Sequence, residues 1–357
     1  MGSHPFLQPE HTRPSLAHAL WSGSNRSVIR NAVATLSAVL LLVTVTSCGN
    51  NDEDENGPPR ELSVLYAGSL ATVMEDGLGP AYTKLTGTRL RGEAHGSLGA
   101  AQLIRDGLRT PDVFISADPA VNEEILMGRA NGDKSVWYGT FASSELVLGY
   151  SPRGPYADKF ADIAAGRSAS QWYDLLSEPD VRFGRGDPAI DPKGYRTLIM
   201  LDLATRHYGD PRLETLLGSD ENPAQVLPEV SLMARVEAGQ FDSGFFYRHE
   251  AVAAGLPFIT LPDEINLGNA ALSDLYSTAA YITPAGVRVP GAPILFTVTV
   301  LRGARHPKEG EEFIKFLVSD KSRLASFGFS ATELAIAGDA SAAPPVFRSS
   351  NSGRSAP

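Results

Sequence analysis

"LSVLYAGSLATVMED" (62–76) runs a short apolar strand pattern into Ala-Gly-Ser and then into a second apolar-patterned stretch. "TRLRGEAHGSLGAAQLIRDG" (88–107) repeats the arrangement around a second Gly-Ser. Gly68 and Gly96 let the backbone approach a ligand closely, and Ser69 and Ser97 are favoured residues at the start of a helix, each with a hydroxyl that can donate outward. The first turn of a helix leaves N–H groups unpaired and carries partial positive charge. Two such turns at the carboxyl ends of neighbouring strands face one crevice, the place where open α/β sheets bind ligands. That geometry suits a small oxyanion held by neutral donors. Either Gly-Ser taken alone is better explained as ordinary helix capping.

The chain has 357 residues, 43% hydrophobic and 20% charged, a globular composition long enough for about two domains. Its net charge of −10 argues against a general affinity for nucleic acid or an anionic membrane, but a local site built from dipoles can still hold an anion. The seven histidines form no metal-binding pair, so neither a metal cluster nor a cofactor is expected. Arg26 and Arg30 precede the apolar run "AVATLSAVLLLVTVTS" (32–47), which ends in small residues at Cys48, the only cysteine. This is the pattern of a leader, too short for a comfortable membrane span. "VTSC" (45–48) resembles the bacterial lipobox, so residues 1–48 are read as a lipoprotein signal peptide with Cys48 lipidated. "GNNDEDENGPPR" (49–60) reads as an acidic tether. Its Asp52, Asp54, Asn56 and Gly57 open like an EF-hand loop, but the twelfth position is Ser63 and two prolines intervene. The Ser/Ala/Pro-rich stretch 338–357 is expected to be a disordered tail.

Between these ends, strand-like runs alternate with helical spacing: 62–66, 88–94, 112–117, 145–150, 181–186, 243–247 and 257–261. Leu98, Ala101, Ile104 and Leu108 mark one of the intervening helices. The alternation predicts α/β architecture with largely parallel sheets. Beyond residue 277, "STAAYITP" and "APILFTVTVLRG" are strand-like with no helix between them, and "HPKEGEEFIKFLVSD" (306–320) is a helix with Pro307 near its start. Trp137 and Trp172 are read as packing residues.

Motifs for enzymes fit less well. "HGSLG" (95–99) has His95 where a nucleophile elbow requires glycine, leaving Ser97 a weak candidate for an anchored serine hydrolase. "GRGDPA" (184–189) follows a strand, but Pro188 and Pro192 oppose the helix that a dinucleotide site needs.

Taken in order, "YAGSL", "EAHGSLGAAQLIRDG", "PDVFISAD", "FASSELVLGYSP", "PDVRFGRGDPAIDPKGYRTL" and "LPDEINLG" resemble the tungstate/molybdate-binding proteins of ABC importers, in the branch best known from archaea. The resemblance spans about residues 61–337 and implies a two-lobed type II periplasmic binding protein, with two crossovers of the chain between lobes. Lobe one would comprise 61–145 and 286–337, and lobe two 146–285. It implies Ser69 and Ser97 as hydroxyl donors to the oxyanion, assisted by amides beside Gly68 and Gly96, with Tyr247 lining the cleft. Asp191, in "DPKGYR", matches a carboxylate that approaches the metal of the oxyanion itself. The branch carries a second carboxylate in a Phe-Glu-Tyr triplet, whereas this chain has Phe245-Phe246-Tyr247. Two carboxylates beside a dianion are costly unless bonded to the metal or protonated. With Phe246 in place of the glutamate, the expected ligand is a tetrahedral oxyanion held mainly by hydrogen bonds, with Asp191 either its single close carboxylate or a structural cap. Arg196 is expected to pair with Asp191, to steer the anion, or to lie solvated on the surface. The implied partners are an importer permease and its ATPase, for a monomeric receptor without enzymatic chemistry, extracytoplasmic and lipid-anchored to the membrane. Sulfate or another tetrahedral oxyanion on the same fold is the nearest alternative ligand; a sensory or adhesive surface protein that has kept the binding fold is a further one.

Overall fold

A computed structural model describes residues 60–216 and 224–348. The leader, Cys48, and the tether up to residue 59 lie outside the described residues, as do 217–223 and the last nine residues. Among the described residues, thirteen strands build two mixed sheets and a two-stranded ribbon. In chain order the strands are β1 (Glu61–Ala67), β2 (Arg89–His95), β3 (Val113–Ser116), β4 (Trp137–Ser144), β5 (Leu146–Tyr150), β6 (Phe183–Gly186), β7 (Val226–Leu227), β8 (Ser243–Tyr247), β9 (Phe258–Thr260), β10 (Ala280–Ile282), β11 (Arg288–Pro290), β12 (Ile294–Val300) and β13 (Ser330–Gly338).

The first sheet has the order β13-β4-β12-β3-β1-β2, and the second β7-β6-β8-β5-β9. Central β1 is nearly continuous in apolar burial because both of its faces are covered, whereas β2 at the edge carries Arg89, Arg91 and Glu93. Parallel pairing is confined to β1–β2, β1–β3, β6–β7 and β6–β8. The remaining ladders are antiparallel, which corrects the expectation of largely parallel sheets. The antiparallel ladders centre on β12, which lies between β3 and β4, and on β5, which lies between β8 and β9.

The chain leaves the first sheet at Ser144 and enters the second at Leu146, with only Glu145 between. It returns to the first sheet between Pro290 and Ile294. Helices that matter for the site are α1 (Ser97–Arg105), α2 (Pro192–Tyr208), α3 (Glu229–Glu237), α4 (Arg248–Ala254) and α5 (Pro307–Ser319). α2 has explicit boundaries: Asp191 caps its start, Pro192 occupies the first turn, and Gly209 ends it in the left-handed conformation at φ 65°. Its Gly194 lies against the incoming loop, where a Cβ would meet the Asp187 carbonyl carbon at 2.4 Å. Close approach of backbone to backbone is the reason "DPKGYR" needs a glycine there. α1 ends at Arg105, so Leu108, expected on its buried face, lies past the helix and is exposed.

Trp137 and Trp172 are buried as packing residues. Order extends past residue 337, contrary to the expected tail. β13 runs to Gly338, and the turn Pro345–Arg348 places Phe347 in the core against Trp137, with ring centroids 6.2 Å apart. One aromatic anchor outweighs the Ser/Ala/Pro composition around it. Phe347→Ala is expected to cost about 3 kcal/mol in urea unfolding. An unchanged midpoint would mean that this segment does not belong to the folded body. Among the described residues no helix is long and apolar enough to cross a membrane.

Candidate functional site

Strand register brings the two Gly-Ser turns together. Ala67 pairs with His95 in the parallel β1–β2 ladder, so Gly68 and Gly96 leave the sheet side by side. Neither serine is a helix cap. The cap of α1 is Gly96, with Ser97 as the first helical residue, and Ala67 precedes the single turn Gly68–Leu70. The backbone needs glycine at both places because other chain segments press on it. A Cβ on Gly68 would lie 2.5 Å from a Glu229 carboxylate oxygen, and one on Gly96 would lie 2.4 Å from the Ile190 carbonyl oxygen and 3.3 Å from the Asp191 Cβ. Segments around both sheets therefore meet at these turns. Gly99 N–H also donates to the Ile190 carbonyl at 3.3 Å.

The predicted residues take distinct roles in this arrangement. Among the described residues the buried Ser69 hydroxyl has no hydrogen-bond partner, while the Ser69 carbonyl accepts from His249 Nε2 at 3.1 Å. Ser97 Oγ accepts the Ala117 N–H at 3.1 Å, tying α1 to the end of β3 and leaving its own proton to be donated. Among the described residues no histidine or carboxylate hydrogen-bonds Ser97, so the constellation expected of a nucleophile is not assembled there. Asp191 Oδ1 caps α2 by accepting Lys193 N–H at 2.9 Å, and buried Oδ2 has no hydrogen-bond partner among the described residues. Burial, and after it the Glu229 carboxylate, push the Asp191 carboxyl well above its ordinary range.

The Tyr247 hydroxyl accepts from Arg196 Nη1 at 2.9 Å, and burial holds the phenol in its protonated form. Arg196 is neither solvated nor paired with Asp191. It is buried and bonds the Ala117 carbonyl at 2.6 Å and Asp118 Oδ2 at 2.7 Å, bracing α2 against the end of β3. Tyr195 reaches the same Asp118 oxygen at 2.5 Å.

Sequence reasoning missed a buried charge cluster under these turns. The Lys193 ammonium is wholly buried, 2.7 Å from Glu250 and 3.1 Å from Glu229. Burial opposes its charge, but the surrounding Glu229, Glu250 and Asp191 carboxylates hold it protonated above its ordinary range. Burial raises the Glu250 carboxyl to about 7, against the opposing pull of Lys193. Phe246, which stands where a glutamate was expected, has its ring 5.3 Å below that ammonium. The only signal in the sequence was Lys193 itself, inside "DPKGYR"; Glu229 and Glu250 carry no motif. Beside Ser69 and Glu229 lies a cavity of about 210 Å³. A larger groove of about 580 Å³ sits beside the opening residues of β1, next to Arg91 and Arg109, and contains none of the predicted residues. Among the described residues no group of three or more His, Cys, Asp or Glu side chains is placed to hold a metal ion.

His249 is sealed beneath the site, stacked on Phe329 at 4.1 Å and bonded to Ser144 Oγ at 3.1 Å. Burial first, and the Lys193 charge after it, push its pKa down to about 3. An unfolded histidine titrates near 6.5, so folding stability is retained above that pH and lost as pH falls below it. From pH 7 to pH 5 this residue alone should remove about 2 kcal/mol. In His249→Phe that loss should vanish, so the stability difference between variant and wild type narrows by that amount over the same window in urea titrations. The raised Asp191 and Glu250 groups act in the opposite sense but are present in both proteins. Parallel pH curves would contradict the assignment.

A family model for bacterial extracellular solute-binding proteins matches residues 62–329. A Haloferax volcanii protein provisionally named an ABC transporter molybdenum-binding protein is 35% identical over 277 residues, covering 77% of this chain and 82% of its own. The molybdate/tungstate-binding protein of Thermococcus kodakarensis is 30% identical over 322 residues, covering 82% and 88%. Among solved structures, the periplasmic molybdate-binding protein of Azotobacter vinelandii superposes with a TM-score of 0.51 at 17% identity, over 75% of this chain and 98% of that one, a likeness of fold.

Proposed function

The chain belongs to the bacterial extracellular solute-binding proteins and shares the type II periplasmic binding fold, and from that premise we propose that it captures molybdate or tungstate between its two sheets for delivery to an ABC importer. The observation that carries the ligand class is the pair of buried polar atoms without partners, Ser69 Oγ and Asp191 Oδ2, beside two adjacent glycine turns. A buried polar atom left bare costs free energy unless something fills its place. Ser69, Ser97 and Tyr247 supply hydroxyl protons to the ligand oxygens, and the amides beside Gly68 and Gly96 add neutral donors. Asp191 Oδ2 faces the centre of the anion. The names of the two relatives support this choice of ligand.

Capture by such a receptor needs no bond-making. The protein's part is to bind, release and dock on a permease whose ATPase drives transport. A lipid on Cys48 would hold it at the membrane, the acidic tether giving it reach, and a single copy suffices for this work.

Thermal unfolding of the purified protein with tungstate, molybdate, sulfate, phosphate or buffer tests the reading. A ligand at a hundred times its Kd adds about 2.7 kcal/mol, which raises the midpoint by a few degrees. Tungstate or molybdate should do so, and Ser69→Ala should weaken binding by about tenfold or more. No shift with any oxyanion would overturn the proposal.

A further inference from the structure

Glu229 was not among the residues expected at the site, yet its side chain is the one pressed against Gly68. It opens α3, is 6% exposed, and reaches across from the second-sheet side to the turn that ends β1. Lys193 pairs with it at 3.1 Å, but neither of its oxygens makes an aligned hydrogen bond. Asp191 approaches Gly96 through its Cβ, 3.3 Å from where a Gly96 Cβ would stand, while its Oδ2 lies 2.7 Å from where a Gly186 Cβ would stand. Glu229 borders the same cavity as the bare Ser69 hydroxyl, close enough to the buried Asp191 carboxyl for its charge to act on it.

We propose that Glu229 is a specificity-determining residue of this cleft, acting to exclude sulfate. The inference rests on the oxyanion-receptor reading and deepens it. Its basis is a count of donors and acceptors. Carboxylate oxygens accept and cannot donate, and the oxygens of a fully ionised oxyanion also only accept. Set against each other in a buried site, they repel and leave both sides unsatisfied. An oxyanion relieves this conflict by carrying a proton, as hydrogen phosphate does, or by having a metal centre that takes further oxygen donors, as molybdate and tungstate can. Sulfate does neither at neutral pH. A site built to make an interaction rejects the analogue that lacks it far more strongly than shape alone would. Lys193 makes the device tenable, since its ammonium offsets part of the charge of Glu229 and Glu250 while lying behind them.

The test is calorimetric titration of the purified full-length protein and of Glu229→Gln with molybdate, tungstate and sulfate. Wild type should prefer molybdate or tungstate over sulfate by at least about a hundredfold. In Glu229→Gln the amide offers a donor in place of an acceptor, so the ratio should fall by about tenfold or more, mainly through a gain in sulfate affinity. Glu229→Asp, which keeps the charge but withdraws it by one methylene, should shift the ratio the same way by less. It serves as the readout if the amide variant fails to fold. A ratio unchanged in the folded variants overturns this inference and leaves the receptor reading standing. A wild-type protein that binds no oxyanion overturns both.

Discussion

The ammonium of Lys193, fully enclosed and within 3.1 Å of two glutamates, is the interaction around which the functional region is arranged. Three carboxylates, Asp191, Glu229 and Glu250, are buried near the same point, and without a cation there they would have to take up protons or be hydrated. Breaking a buried ion pair by removing one partner costs about 3–5 kcal/mol because the other charge is left stranded. The lysine reaches this point because α2 is capped by Asp191, which supplies both the cap and the bare Oδ2, and Lys193 two residues on supplies the ammonium. Gly194 then lets the helix start pack directly on the preceding loop.

Around this charge, backbone geometry does the positioning. The parallel β1–β2 ladder sets Gly68 beside Gly96, and the absence of side chains at those positions lets Glu229 and Asp191 approach. Arg196 locks the other flank by linking the Tyr247 hydroxyl to Asp118 and the Ala117 carbonyl, and His249 fixes the Ser69 carbonyl from beneath. The Tyr247 hydroxyl and the Ser69 backbone are thus held by buried groups from neighbouring elements.

The sequence made the strand runs and the Gly-Ser turns legible, because each rests on local chemistry: apolar periodicity and glycine at a strand end. The start of α2 was not, since Pro188 and Pro192 read against a helix, whereas Pro192 fills its first turn behind the capping Asp191. β4, which begins at Trp137, was hidden because its residues lack clean alternation, and β13 was missed for the same reason. Phe347 could not be assigned, since a lone aromatic in a Ser/Ala/Pro context gives no period. Ser69, Ser97, Asp191 and Tyr247 stand out from motif and resemblance, and the structure buries all four. Ser97 ties β3 instead of capping a helix, and Arg196 is interior. The replacement of a glutamate by Phe246 pointed to a site with one carboxylate. Only three-dimensional packing brings Glu229 to Gly68, from a helix with no distinguishing pattern.

The central claim is that the glycine turns, Ser69, Asp191 and Glu229 enclose one ligand position. Anomalous diffraction at a tungsten edge, from crystals grown with tungstate, locates the heavy atom directly. The account predicts a single strong peak between Gly68 and Gly96, with Ser69 Oγ, Asp191 Oδ2 and the Glu229 carboxylate as its nearest protein atoms. A peak in the groove beside Arg91 and Arg109, with Ser69 and Asp191 still bare, would contradict it.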